Sequence, residues 1–299
     1  MQPTVVGIGE LLWDLLPGGR RLGGAPVNFA YHCGQLGARA VPVSRIGRDA
    51  AGRAIRRRVA ELGLQTAYLQ RDPLRPTGTV KVQVGPDGRP SYEICEGVAW
   101  DHLRFEERLR RLAARADAVC FGSLAQRSPN SRAAIRKFLE LCHPAALRIF
   151  DVNLRQHYYS REVIEASLRA ANVLKISDEE LPVLARLLRL RGSPTAQLRR
   201  LRERYGLRLV AYTRGRNGSL LVSAGAVAEH PGYAARVVDT VGAGDAFAAA
   251  LCMGLLAGWP LPEIGRAANR LAAFVCRRAG ATPALPAGWR GRFQRASSL

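Results

Sequence analysis

The chain contains 299 residues, of which 47% are hydrophobic, so it can bury a large core, and disorder over most of its length is excluded. Lysine and arginine total 45 against 24 acidic residues, which gives a formal net charge of +21. Because 42 of these basic residues are arginines scattered along amphipathic segments, we expect a compositional preference for arginine and no specific nucleic-acid partner.

Short β-branched runs alternate with helical patterns along the chain. This alternation predicts an α/β fold with a doubly wound, mostly parallel sheet. Ligands bind at the carboxyl ends of such strands, so the segments 151–155 and 213–218 are candidate site loops. The predicted strands cover residues 4–8, 118–121, 148–152, 173–176 and 209–213.

Residues 79–84 and 91–95 alternate in polarity around Gly85-Pro86-Asp87-Gly88-Arg89, which predicts a β-hairpin. The local sequence alone favours a surface hairpin without a functional role. No linker or repeat interrupts the chain, so residues 1–299 are predicted to form a single α/β domain. Residues 290–299 are expected to be a frayed basic tail.

Residues 239–247 read D-T-V-G-A-G-D-A-F at the start of the apolar stretch 246–259. Gly242 and Gly244 allow a tight turn, and a helix beginning near Ala243 would direct its positive dipole end at the same place. Asp245, in the first turn, could accept a proton from a hydroxyl held beside a bound phosphate. The motif alone leaves open an ordinary glycine-rich loop with the acid as a helix cap.

Several further blocks, in this order and at this separation from residues 239–247, resemble the ribokinase-like (PfkB) sugar kinases. The resemblance extends from about Val5 to Pro286, and the G-G-A-P-V-N variant together with the blocks at 121–126 and 151–155 looks most like the fructokinase branch. The blocks are G-G-A-P-V-N-F-A at 23–30, Q-L-G-A at 35–38, R-I-G-R-D-A-A-G at 45–52, F-G-S-L-A-Q at 121–126 and D-V-N-L-R at 151–155.

The resemblance implies an ATP-dependent kinase that phosphorylates the primary hydroxyl of a sugar, with D-fructose preferred. Asp245 would be the catalytic base, and Gly242, Ala243 and Gly244 would form the anion hole. A small β lid, formed by about residues 10–22 and 78–100, would cover the sugar. A kinase for 2-keto-3-deoxygluconate, for another sugar or for a nucleoside is the alternative, as is a catalytically idle protein that binds nucleotide or sugar.

Several residues are candidates for binding the sugar. Asp14 could accept hydrogen bonds from hydroxyls or be an exposed turn acid, and Gly23 and Gly24 let the main chain approach a ligand. Asn28, one turn into a helix with Pro26 near its start, could contact the sugar or cap its own backbone. The resemblance favours the sugar contacts and adds two further residues, Gln126 and Arg155, of which the arginine suits an anionic oxygen.

For the nucleotide, residues 213–218 resemble the T-x-G-x-x-G loop of the family, in which Thr213, Gly215 and Gly218 would lie against phosphates. A plain connection between strands is the alternative. Asn269, on a helix predicted over 262–278, occupies a position that lies beside the adenine and ribose in the family.

The family motif N-x-x-E becomes Ser177-Asp178-Glu179-Glu180, so Glu180 would order the water shell of Mg²⁺ while Ser177 replaces an asparagine beside the nucleotide. The same two residues also predict a capping box for a helix starting at Asp178. Asp239 would help to bind a monovalent cation such as K⁺, or would cap its own loop.

The sequence has six cysteines without a C-x-x-C pair, and its N-terminus lacks the basic region of a secretory signal. The apolar stretch 246–259 is shorter than the ~20 residues that span a bilayer. We therefore expect a cytoplasmic protein with no membrane partner. Homodimerisation through the lid is a further expectation from the resemblance.

Overall fold

The computed structural model describes residues 2–16, 18–84, 90–289 and 293. The predicted hairpin turn at 85–89 lies outside the described residues, as does the predicted tail apart from Phe293. The strands are β1 Thr4–Ile8, β2 Leu12–Leu16, β3 Gly19–Gly23, β4 Arg39–Gly47, β5 Leu69–Asp72, β6 Gly78–Val84, β7 Pro90–Ile94, β8 Ala118–Phe121, β9 Leu147–Asp151, β10 Val173–Ser177, β11 Leu209–Thr213, β12 Ser219–Ser223 and β13 Val227–His230. The helices are α1 Ala25–Gln35, α2 Ala50–Glu61, α3 Glu107–Ala113, α4 Pro129–Glu140, α5 Arg161–Ala170, α6 Leu181–Leu188, α7 Pro194–Arg204, α8 Ala243–Leu256 and α9 Leu261–Cys276.

The large sheet has the strand order β13-β12-β11-β10-β9-β8-β1-β4-β5. Every neighbouring pair from β11 to β5 is parallel, and β12 and β13 extend one edge in antiparallel pairing. Parallel strands need crossover connections, which the helices supply. The predicted α/β class with a mostly parallel sheet is confirmed.

Alternate residues of the central strands face two separate cores. Val5 and Ala118 pack with helices α1, α8 and α9, whereas Val6 and Val119 pack with helices α3 to α7. Successive side chains of a strand point to opposite faces, so a strand with helices on both sides must be apolar throughout. This explains why these strands appear in the sequence as short continuous apolar runs.

A second, smaller sheet has the order β3-β2-β6-β7. Strands β2 and β6 run parallel, and β3 and β7 pair antiparallel on the outside. The predicted lid segments therefore do form a small β-sheet, with two strands from the first segment rather than one. The predicted strands of the large sheet agree with the observed ones to within one residue at each end.

Strand β1 and helix α1 approach each other at the level of the backbone. A Cβ atom added at Gly7 would overlap the carbonyl oxygen of Pro26, in the first turn of α1. Since a side chain cannot be accommodated there, Gly7 allows α1 to begin directly against the carboxyl end of β1. The residues at the start of α1 are thereby brought to the edge where ligands bind in such sheets.

Replacing Gly7 by alanine should lower the free energy of unfolding by about 1–3 kcal/mol, because the added methyl group overpacks a backbone contact. Urea denaturation followed by circular dichroism measures this change. The matched control is Gly225→Ala, since a Cβ added at Gly225 meets no heavy atom within 4 Å. Equal stability of the two variants would contradict the close contact.

Candidate active site

The predicted catalytic residues lie at the N-terminus of α8. Gly242 precedes the helix with φ +80, and a Cβ added there would lie 2.6 Å from Ala281, so both conformation and space require glycine. The first i→i−4 bond of the helix is donated by Ala246 to Gly242. The N–H groups of Ala243, Gly244 and Asp245 therefore belong to the first turn, where a helix attracts anions.

The structure brings Asp245 and Asn28 together although 217 residues separate them. The Asn28 Nδ2 donates a hydrogen bond of 2.8 Å to the Oδ2 of Asp245. Asn28 is 4% exposed, and its Oδ1 has no hydrogen-bond partner in the part of the chain that the structure describes. A buried acceptor of this kind suits a ligand hydroxyl.

A buried cation lies behind the first turn of α8. The Nζ of Lys175, on β10, is 2.9 Å from Asp151 Oδ1, and Lys175 is 7% exposed. A Cβ added at Gly244 would be 3.0 Å from this Nζ. Burial acts to lower the pKa of Lys175, but the carboxylates of Asp151, Glu180 and Asp245 outweigh it and raise that pKa, so the ammonium is charged.

The carboxyl group of Asp245 has a raised pKa. Burial is the largest cause, while the hydrogen bond from Asn28 and the positive charges of Lys175 and Arg155 act in the opposite direction. A carboxylate with a raised pKa is a stronger base than an ordinary aspartate, and the nearby cations favour its ionised form.

The small sheet places Asp14 against the two glycines that precede α1. A Cβ added at Gly23 would lie 2.5 Å from Asp14 Oδ2, and one added at Gly24 would lie 2.5 Å from the carbonyl oxygen of Glu10. Gly24 also has φ +122. Burial raises the pKa of Asp14 to about 6, against the positive charges of Arg155 and Arg21.

Arg155 follows β9 and is exposed. Its Nη1 donates to the carbonyl oxygen of Leu154. Burial raises the pKa values of Asp14, Glu10 and Asp245, and the positive charge of Arg155 partly offsets this effect on all three. The loop that carries it includes Asn153 with φ 42, a left-handed conformation that asparagine tolerates. Arg155 is thus the positive charge shared by the acids around the site.

The predicted nucleotide residues meet at the carboxyl ends of two neighbouring strands. Ser177 and Thr213 are register partners at the ends of β10 and β11. The segment 213–218 connects the antiparallel strands β11 and β12, as expected for a simple connection between strands. It also begins at the carboxyl end of β11. Gly215 has φ +51 and Gly218 has φ +78, and a Cβ added at Gly218 would overlap His230.

The reciprocal hydrogen bonds predicted for Ser177 and Glu180 are present, in a turn that precedes the next helix. Glu180 N donates to Ser177 Oγ over 3.3 Å, and Ser177 N donates to Glu180 Oε2 over 2.8 Å. The helix that follows, α6, begins at Leu181 and not at Asp178, so the predicted start was wrong. Pro182 accounts for this, because proline lacks an N–H and fits the first turn of a helix, whereas a helix from Asp178 would place it in the second turn.

Two predicted ligand residues have amide nitrogens that bond within the protein. Gln126 is 1% exposed, and its Nε2 donates both to Gly122 O (2.9 Å) and to Ser167 Oγ (2.8 Å). Asn269 is 7% exposed, and its Nδ2 donates to Ser219 Oγ and Gly265 O, both over 2.7 Å. A ligand contact of either residue, which stays a prediction, would therefore use the amide oxygen.

Asp239 caps its own loop in the structure. Its Oδ1 accepts from Val241 N, and its Oδ2 accepts from Gly280 N and from Arg21 Nη1, each over 3.0 Å. Arg21 belongs to β3, so this ion pair joins the small sheet to the segment before α8. The described residues contain no group of three His, Cys, Asp or Glu side chains that could hold a metal ion.

Sequence analysis missed three charged residues of the site, namely Lys175, Glu10 and Arg21. Lys175 is one of only three lysines and interrupts the apolar strand V-L-K-I-S, which was a usable signal. Glu10 directly follows β1 and is buried, with its Oε2 unpartnered among the described residues. Burial raises its pKa. Arg21 gave no signal in a chain with so many arginines.

Residues 18–288 match the pfkB family carbohydrate kinases. The chain belongs to this family. The kinase is 31% identical to the fructokinase of Klebsiella pneumoniae, over 84% of this chain and 83% of that protein. Membership makes the protein a sugar phosphotransferase, as the sequence motifs predicted. No helix among the described residues of the kinase is both long and apolar enough to cross a membrane.

Two solved structures share the architecture of the kinase. An uncharacterized sugar kinase from Pyrococcus horikoshii in complex with ATP is 29% identical, with a TM-score of 0.77 and 93% of each chain covered. The fructokinase of Vibrio cholerae with bound fructose, ADP and calcium ion is 23% identical, with a TM-score of 0.81 over 98% of this chain and 99% of that one. At this identity the second likeness concerns the fold alone.

The carboxyl group of Asp14 should titrate near pH 6, well above its ordinary value of 3.8, because burial disfavours its charged form. Carboxyl-detected NMR titration measures this pKa, and Arg155→Gln should raise it further by removing a stabilising positive charge. Since folding favours the protonated form, this group's contribution to stability declines as the pH rises from about 4 to about 6. Arg110→Gln, on the exposed side of α3, is the control and should leave the Asp14 titration unchanged. A midpoint near 4 in the wild type would contradict the assigned burial.

Proposed function

We propose that this kinase transfers the γ-phosphate of ATP to the primary hydroxyl of a sugar, with D-fructose the preferred acceptor. The observation that supports this best is the pairing of Asp245 with Asn28 at the N-terminus of α8, above the buried ammonium of Lys175. Phosphoryl transfer requires mainly an aligned hydroxyl and compensation of charge on the transferred group, and this arrangement offers both. The fructokinase relative from Klebsiella pneumoniae supports the choice of sugar.

In this proposal the sugar lies between the small sheet and the start of α1. Asp14 accepts hydrogen bonds from its hydroxyls, the main chain at Gly23 and Gly24 lies against it, and Asn28 accepts a hydrogen bond through its unpartnered Oδ1. Asp245 removes the proton from the reacting hydroxyl as that oxygen bonds to phosphorus. Arg155 offsets negative charge on the far side of the site.

The nucleotide would lie along Ser177 and the loop from Thr213 through Gly215 to Gly218, with its γ-phosphate at the first turn of α8. Since the side chains of the described residues offer no three-ligand metal cluster, Mg²⁺ would be held mainly by phosphate oxygens and water, with Glu180 ordering that water. When bound, the metal neutralises charge on the phosphates. Asp239 already accepts three hydrogen bonds, so a K⁺ site there would rely on backbone carbonyls or displace Arg21.

Lys175 would act on the reaction through its charge. It lies beneath Gly244, where its positive charge favours an anion at the helix N-terminus. The same charge opposes the effect of burial on the pKa of Asp245 and so favours the ionised form of the base. We therefore assign it a positioning and electrostatic role, with Asp151 as its fixed partner.

A kinase for 2-keto-3-deoxygluconate or for another sugar or nucleoside is the second candidate, because these substrates also carry hydroxyl groups that Asp14 and Asn28 can bind. An idle binding protein is disfavoured, since the base and the glycine turn before it are both in place. We also propose a cytoplasmic location, which suits six free cysteines, and dimerisation through the small sheet, which exposes Leu15.

Substrate choice is tested by a coupled assay of ADP release over a panel of sugars that includes D-fructose, D-ribose, 2-keto-3-deoxygluconate and nucleosides. We expect the highest kcat/KM for D-fructose, since one set of buried hydrogen-bonding groups discriminates strongly between hydroxyl patterns. If the enzyme preferred another member of the panel to fructose, the proposed substrate would change and the assignment as a kinase would stand. ADP formation with none of them would contradict the proposed function.

Asp245→Asn should lower kcat by at least ~10²-fold, because general base catalysis is typically worth that much. The binding of ATP, measured by calorimetry, should change little, since asparagine has nearly the same size and shape. Asp178→Asn, at an exposed acid near the same sheet edge, is the matched control and should keep normal turnover. Near-native turnover of the Asp245 variant would refute its role as the base.

The double variant Lys175→Gln/Asp151→Asn removes both charges of the buried pair and keeps hydrogen-bonding groups in place. The acid limb of the kcat–pH profile should move to higher pH, by less than the 1–3 units that loss of a nearby cation alone would give, because removal of the Asp151 carboxylate partly offsets the loss of Lys175. A purely structural ion pair would change stability and leave this limb in position. Thermal unfolding of the same variant separates the two effects.

A further inference from the structure

A second concave site lies beside α2. It is a cavity of about 420 Å³ between α2 and the ends of β4 and β5, and none of the residues assigned above lines it. Four arginines line it, namely Arg53, Arg56, Arg57 and Arg71. We propose that this cavity binds a small phosphorylated anion and that the bound anion alters the affinity of the lid for sugar.

Two of the arginines are oriented by backbone carbonyl groups, and the charge of Arg53 also acts on the carboxylate of Asp49, whose pKa is lowered. Arg53 Nη1 donates to Arg48 O and Arg56 Nη1 donates to Thr66 O, each over 3.2 Å. A carbonyl oxygen orients a guanidinium but leaves its full charge, and the planar fork keeps further N–H groups for phosphate oxygens.

No carboxylate lines the cavity to balance its arginines. The lining residues, all within the described part of the chain, include no acid. Arg57 reaches Glu61 only at 3.9 Å, with both side chains exposed, and such pairs contribute little. Neighbouring guanidinium groups repel one another, so a bound anion would relieve this repulsion.

The shape of the site favours a small ligand over nucleic acid. A volume of about 420 Å³ lies within the range of small-molecule sites, which suits a sugar phosphate or a short polyphosphate. The lining contains no aromatic side chain on which bases could stack.

The walls of the cavity are hydrogen-bonded to the lid. Asp49, between the lining residues Gly47 and Gly52, accepts from Gly52 N (2.7 Å), Thr77 N (2.7 Å) and Thr77 Oγ1 (2.6 Å). Thr77 directly precedes β6 of the small sheet. A shift of α2 would therefore be transmitted to the start of this strand.

A second connection reaches the sugar side directly. The carbonyl oxygen of Ala51, in the first turn of α2, accepts a 3.1 Å hydrogen bond from the indole of Trp13. Trp13 is the neighbour of Asp14, so this part of the proposal rests on the proposed sugar contact. Coupling between two sites is reciprocal, so sugar would also change the affinity for the anion.

Inorganic pyrophosphate is a suitable probe, titrated by calorimetry at fixed ionic strength in the presence of saturating ADP to occupy the nucleotide site. We expect Arg53→Gln/Arg56→Gln to weaken its binding at least about 10-fold, since two charge-assisted hydrogen bonds are lost. The matched control, Arg199→Gln/Arg200→Gln on α7, removes the same charge from an exposed helix. Equal weakening by both pairs, or no binding once ADP is present, would overturn the site.

The coupling is tested by initial rates with the sugar that proves to be the substrate. Pyrophosphate should change the KM for sugar in the wild type and leave it unchanged in the Arg53/Arg56 variant, with kcat similar in both. An identical effect on the two proteins would overturn the coupling. Failure of the enzyme with every sugar would overturn the proposed function instead, because the calorimetric result does not depend on turnover.

Discussion

The site depends on one buried ammonium group beneath the first turn of α8. Removing a lysine from water costs several kcal/mol, and here the cost is offset by three carboxylates, those of Asp151, Glu180 and Asp245. These acids come from β9, from the turn after β10 and from α8, so the charge balance holds three elements together at the sheet edge. The positive charge of Lys175 favours the ionised forms of both Asp151 and Asp245.

Backbone contacts that only glycine permits fix the geometry around this charge. Gly7 lets α1 start against β1, Gly24 lets the chain pass over Glu10, and Gly242 lets α8 begin beside Ala281. Such contacts leave no room for a side chain and hence little freedom for the elements to shift. The hydrogen bond between Asn28 and Asp245 depends on two of them, since Gly24 precedes α1 and Gly242 precedes α8.

Sequence reasoning predicted those parts of the site that rest on backbone constraints. The roles of the glycines before α1 and α8 could be predicted because few other residues fit a positive φ or a close backbone contact. The strands could be predicted from their apolar runs because both faces of the sheet are covered by helices. For Gln126 and Asn269, the residue type did not show that the amide nitrogens bond within the protein. An amide on a helix can turn toward a ligand or toward its own backbone, and residue type does not distinguish the two. Lys175 was missed because its importance comes from burial, which a strand pattern shows only indirectly.

The amide group of Asn28 links the proposed base to the proposed sugar site. Its amide nitrogen holds Asp245, and its oxygen is buried without a partner among the described residues. An aspartate would repel the base, and a leucine of similar size would leave it without its hydrogen bond. Under the proposed function, a sugar hydroxyl that donates to Asn28 Oδ1 completes the hydrogen bonding of the same amide that orients the base. Binding of a correctly shaped sugar would then strengthen the alignment of Asp245, which couples recognition to catalysis through a single side chain.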